Sequence, residues 1–120
     1  MPSRSRLALE SGTLVKGIVM RILLTVTFPV EKFNALVRAG TAGEKISNIL
    51  ETTKPEAVYF TEQNGQRTAM VVTDMADSSK IPALAEPWFL TFDAAVKLSV
   101  VMTPDDLRRS GLETVGKKWT

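Results

Sequence analysis

The chain contains neither cysteine nor histidine. Those absences exclude disulfides, thiolate nucleophiles, zinc sites of the Cys/His type, imidazole general bases and haem held by either side chain. No glycine-rich phosphate loop occurs, and Asp74 and Asp77 lack the oxygen-ligand spacing of a calcium loop, so neither cofactor nor metal is expected. Net charge is small. Fifteen Lys and Arg stand against thirteen Asp and Glu, and the excess lies in residues 1–19, where Arg4, Arg6 and Lys16 face Glu10 alone. An electrostatic footprint for nucleic acid needs basic groups gathered on one face, and Lys117-Lys118 is only a pair, so no nucleic-acid partner is expected. The longest apolar stretch, Gly17 to Phe28, is broken by Arg21 and lacks an A-x-A-like cleavage site. It is too short for a membrane span, so the expectation is a cytosolic protein with no membrane partner.

What remains is an ordinary globular composition, 44% apolar and 23% charged over 120 residues, enough for one domain with one core. Met20-Arg21-Ile22-Leu23-Leu24 reads like a natural start running into a strand. Residues 1–19 are accordingly expected to be an extension, or a segment whose Leu14 to Val19 lengthens the first strand or reaches a partner. Residues 20–120 are expected to form the domain.

From Arg21 to Phe28 apolar residues alternate with a period of two, which predicts a first strand. Pro29 opens a helix carrying Val30, Phe33, Leu36 and Val37 on one face. Gly40 and Gly43 predict a kink or restart, Thr41 with Glu44 matches a capping box, and Ile46, Ile49 and Leu50 point inward before Lys54-Pro55 stops the helix. Ala57 to Thr61 and Thr68 to Met75 are strand-like, joined by Asn64-Gly65, the strongest two-residue hairpin signal. A helix is expected from about Ser79, shortened or kinked by Pro87, with Trp88, Phe89 and Phe92 clustered on one side. Val96 to Met102 predicts a fourth strand, and Thr103-Pro104-Asp105-Asp106 starts a last helix that Gly111 ends or bends.

The order β, α, β, β, α, β with right-handed crossovers predicts an α+β, ferredoxin-like βαββαβ sandwich: a four-stranded antiparallel sheet with helices on one face, plus a C-terminal helix. Ile22, Leu24, Val26 and Phe28 with Val96, Leu98, Val100 and Met102 are assigned to the covered face. Leu23, Thr25, Thr27, Lys97, Ser99 and Val101 are assigned to the open one. A mixed open face of this kind buries its area against a second copy, so a homodimer through that face is expected.

At this point the chain resembles the dimeric α/β-barrel superfamily, and within it a family of small bacterial proteins. The resemblance runs from about Met20 to Gly111. It rests on Arg21-Ile22-Leu23-Leu24-Thr25, on Lys54-Pro55-Glu56-Ala57-Val58-Tyr59-Phe60, on Ala85-Glu86-Pro87-Trp88-Phe89 and on Val101-Met102-Thr103-Pro104-Asp105-Asp106-Leu107. These are packing, turn and capping elements, with no catalytic signature among them. The wider superfamily includes cofactor-free monooxygenases, haem-handling enzymes, lactone isomerases and stress-response proteins, and the branches that use a histidine do not fit this chain.

Six residues are candidates for a ligand site. Tyr59, the only tyrosine, offers a phenol to a ligand carbonyl or packs its ring with the hydroxyl in water. Lys97 interrupts an apolar strand, either to bind an anion from a barrel lumen or to discourage pairing at a sheet edge. Trp88, with its aromatic neighbours, walls an apolar pocket between helix and sheet or simply fills the core. Thr25, Thr27 and Ser99 line a polar lumen or satisfy one another across a dimer. Asp105 and Asp106 are read as capping residues. The expected function is a homodimer that binds a small apolar or anionic molecule, or serves a structural or regulatory role. The alternative is a cofactor-independent monooxygenase, isomerase or cyclase acting on an activated carbonyl or aromatic compound, with Tyr59 and Lys97 as its polar groups. RNA binding on an RRM-like sheet is not expected, because the central strands carry no aromatic residue to stack a base.

Overall fold

A computed structural model describes residues 19–120, so most of the N-terminal extension, including the proposed strand lengthening from Leu14, lies outside the described residues. The elements follow in the order β1 (Met20–Thr27), α1 (Val30–Ala39), α2 (Ala42–Thr53), β2 (Ala57–Gln63), β3 (Gln66–Met75), α3 (Ile81–Phe92), β4 (Ala95–Val101), α4 (Pro104–Arg109) and α5 (Leu112–Lys118). The four strands pair antiparallel in the order β2-β3-β1-β4, the ferredoxin-like α+β arrangement. Each helical crossover skips one strand, which puts β1 and β3 in the centre and leaves β2 and β4 as edges.

Alternation along β1 carries Ile22, Leu24 and Val26 into the helix-covered core, where each is at most 1% exposed. Across the ladder they meet Thr73, Val71 and Ala69 of β3, all buried. The helix layer is locked down by aromatic rings. Phe28 lies 4.8 Å from Phe33 and 5.0 Å from Phe92, and Trp88 stacks on Phe92 at 6.0 Å between centroids. Burying a ring of this size removes roughly 150–250 Å² from water, so these four side chains dominate the core. Arg67 closes the rim, its guanidinium 4.8 Å from the Phe33 ring centre and donating to Asn34 Oδ1 at 2.8 Å.

Several local expectations are met for their stated reasons. Asn64 (φ 55°) and Gly65 (φ 81°) both occupy the left-handed region that a type I′ turn demands, and the Gly65 amide donates to Glu62 Oε2 at 3.0 Å. Gly40, left-handed at φ 76°, ends α1 by donating to the Leu36 and Val37 carbonyls, and α2 restarts at Ala42.

Others are corrected. Thr41 makes no side-chain cap; its hydroxyl donates back to the Leu36 carbonyl at 3.5 Å, so the Thr41/Glu44 capping box does not form. A reciprocal box forms instead at α4, where the Asp106 amide donates to Thr103 Oγ1 at 3.1 Å and the Thr103 amide to Asp106 Oδ2 at 2.9 Å. Pro87 does not shorten α3, which runs through it to Phe92 because Trp88 and Phe92 beyond the proline are buried. Phe89 is 37% exposed and leaves the aromatic cluster. Val100, opposite Ile22 in register, and Met102, just past the end of β4, are 67% and 63% exposed rather than covered, since the helix layer does not reach this end of the strand. Val30 and Val37 are likewise half in water, at 47% and 48%. The C-terminal helix is two short ones, separated by the left-handed Gly111.

Candidate functional site

The open face of the sheet is read directly from the register. One row runs Tyr59, Met70, Thr25, Lys97 across β2, β3, β1 and β4; the next runs Ala57, Val72, Leu23, Ser99; a third runs Thr61, Thr68, Thr27, Ala95. Directly opposite residues of antiparallel strands hold their Cβ atoms about 5 Å apart, so Thr25 adjoins Lys97 and Leu23 adjoins Ser99. A shallow concavity of about 460 Å³ lies over this region, lined by Leu23, Thr25, Thr27, Gln63, Met70, Ala95, Val96, Lys97 and Ser99. Four of the six residues singled out from the sequence, Thr25, Thr27, Lys97 and Ser99, are thus brought together on one surface. Its polar groups are three hydroxyls, an amide and one ammonium, and its apolar lining is Leu23, Met70, Ala95 and Val96.

Tyr59 shares the face but not the lining. It sits on edge strand β2, 65% exposed, three strand spacings from Lys97. At about 4.8 Å per strand their backbones lie roughly 14 Å apart, so the two side chains reach only opposite ends of a bridging ligand. Trp88 is on the other side of the sheet altogether. It is 1% exposed and ringed by Phe28 and Phe92, so the space between helix and sheet that a Trp88 pocket needs is filled by core packing. Lys97 stands on the open face of the edge strand β4 and lines the concavity.

Four lining residues escaped sequence reasoning: Gln63, Met70 and Ala95 were not singled out, and Val96 was assigned to the covered face. Gln63 belongs to the hairpin beside Asn64-Gly65, and Met70 faces Thr25 across β1 and β3; the pairing register that brings both over the site is a tertiary fact.

The lower end of the sheet is clamped by charge. Arg21 donates through Nε and Nη2 to the two carboxylate oxygens of Glu56, both at 3.0 Å. This fork raises the Arg21 pKa above its ordinary value, chiefly through the side-chain hydrogen bond, and ties β1 to the start of β2. Both partners are 38% exposed, so the pair orients more than it stabilises.

A second concavity of about 370 Å³ lies where α2, the end of β3 and α3 converge, lined by Thr52, Thr53, Asp74, Met75, Lys80 and Leu84 among others. It lies away from the open face. Among the described residues no group of three or more carboxylates is placed to hold a metal ion, and no helix is long and apolar enough to cross a membrane. No family model, no curated protein and no solved structure matches the chain.

Proposed function

We propose that the protein works as a homodimer that stacks the open faces of two sheets and binds a small apolar or mildly anionic molecule between them. One observation carries the reading: the open face gathers Lys97, Thr25, Thr27 and Ser99 with an apolar lining in a single concavity. An apolar surface with a few convergent polar groups is the usual make-up of a small-molecule site, and closing it with a second copy removes the water that screens Lys97. A carboxylate or enolate oxygen then accepts from the Lys97 ammonium while the flanking hydroxyls fix its orientation. The reading takes the chain as cytosolic, since the apolar stretch after residue 19 is spent on strand β1.

Native mass spectrometry of the purified protein tests both halves. A dimer carrying extra mass supports the reading and reveals the compound class. Lys97→Met is then expected to weaken binding of an anionic compound on the order of tenfold, because hydrogen bonds to charged groups contribute about 1.5–3 kcal/mol. A monomer at micromolar concentration overturns the reading.

A further inference from the structure

Tyr59 and Lys97 end the same row of the open face, one on each edge strand, with Met70 and Thr25 between them. Within one chain the width of the sheet keeps them from closing on one small anion. A second copy changes that. Two sheets stacked face to face about a two-fold axis have two ways to lie with their strands aligned, the axis running across the strands or along them.

An axis across the strands lays each strand on its own copy. Both Lys97 ammonium groups then gather on one pair of β4 strands, and Arg21 meets a second β1, a strand with no acid. Like charges brought together as water leaves oppose that arrangement. An axis along the strands leaves the height of every residue unchanged, so rows lie on rows. Full overlap of the four strands puts this axis between β1 and β3, with β1 over the partner's β3 and β4 over the partner's β2. Leu23 then packs on the partner's Val72, Arg21 lies over the partner's Asp74, and Lys97 lies over the partner's Tyr59. Apolar meets apolar and cation meets acid, each contact made twice.

Stacked sheets lie about 10 Å apart, so a tyrosine and a lysine facing one another bring phenol and ammonium to the same level of the gap. The usual rotation between stacked sheets, about 30°, slides Lys97 along the partner's β2 by about one residue, which two long side chains span. The phenol ring, 65% exposed on one chain, gains a cover at the same time.

We infer that the ligand site of the open face is composite: the Lys97 ammonium of one protomer and the Tyr59 hydroxyl of the other donate to the same carboxylate or enolate, and each dimer holds two equivalent sites. This rests on the face-to-face dimer proposed above, and adds its axis and the residue that the second copy contributes. With one ammonium per site and Leu23 and Met70 alongside, the fitting ligand is a monoanion with an apolar body, such as an aromatic carboxylate.

The cysteine-free chain makes the axis measurable. Tyr59→Cys and Lys97→Cys, one of them carrying a mass tag, are mixed, allowed to exchange subunits and treated with a short bismaleimide. The expected product joins one tagged to one untagged chain, with far less from either variant alone. Cross-linking within either single variant reports an axis across the strands, and a dimer that gives neither product has a different contact; each overturns the composite site and leaves a dimer standing. A monomer throughout the micromolar range removes both. Calorimetric titration with benzoate as the probe is expected to show two equivalent sites per dimer. Tyr59→Phe, which keeps the ring and removes the hydroxyl, is expected to raise the benzoate dissociation constant on the order of tenfold, the loss of one hydrogen bond to a charged group. An unchanged constant, or no benzoate bound at millimolar concentration, overturns the shared anion.

Discussion

Trp88 and Lys97 sit on opposite sides of the sheet and answer to different physics. Trp88 contributes by filling volume: it is 1% exposed and in ring contact with Phe28 and Phe92. Trp88→Ala is expected to cost about 3–5 kcal/mol of unfolding free energy, the usual range for an aromatic removed from a packed core. A urea titration checks this; a loss under about 1 kcal/mol would mean that the site collapses freely, against the close packing of interiors. Lys97 is exposed on an edge strand, so Lys97→Met is expected to leave the same titration within about 0.5 kcal/mol of wild type, as surface substitutions away from buried networks do. The two residues thus separate folding from binding.

At the scale of elements, α4 is held by its first turn. Thr103 and Asp106 exchange hydrogen bonds, Pro104 sits in the first turn, and Arg109 pairs with Asp106 at 2.6 Å while Arg108 pairs with Asp105. Thr103→Ala is expected to cost about 1 kcal/mol of local helix stability, read as faster amide exchange at Asp106 and Leu107. The box also makes α4 acid-sensitive. Asp106 titrates below its ordinary value of 3.8, mainly because its carboxylate accepts from the Thr103 amide. A depressed folded-state pKa stabilises above the ordinary value and stops doing so as pH falls through the folded one, so the cap is expected to be intact at neutral pH and lost on acidification below about pH 4. Carboxyl chemical shifts across that range test the sign; an Asp106 titration above 3.8 would contradict it. Asp77 is held low for a related reason, its carboxylate accepting from the Ser79 hydroxyl and amide ahead of α3.

For the whole molecule, the open face and the C-terminal helix α5 leave apolar surface that one chain does not cover. If two copies cover it, unfolding is coupled to dissociation and the thermal midpoint rises with protein concentration. Calorimetry over a hundredfold concentration range is expected to display that rise. A concentration-independent midpoint would speak for a stable monomer.

Much of the fold was legible in the chain because it is local. Period-two alternation from Ile22 to Phe28, the Asn64-Gly65 turn, the Gly40 break and the Thr103-Pro104 start each depend on a few neighbouring residues, and each forms where those residues demand it. The polar cluster was half legible: alternation along β1 and β4 with the expected topology put Thr25, Thr27, Lys97 and Ser99 on the open face, but only the pairing register sets Thr25 opposite Lys97 and adds Met70 and Gln63 to the surface. The same register put Tyr59 on the far edge. Local patterning was blind to how far the helix layer extends, so it buried Val100 and Met102, which the structure leaves exposed, and it offered Trp88 to a ligand when three-dimensional packing had filled that space with rings. Short-range periodicity determined which residues turn inward on each element; only the tertiary arrangement decided what, if anything, waits there to meet them, because coverage depends on elements distant in sequence.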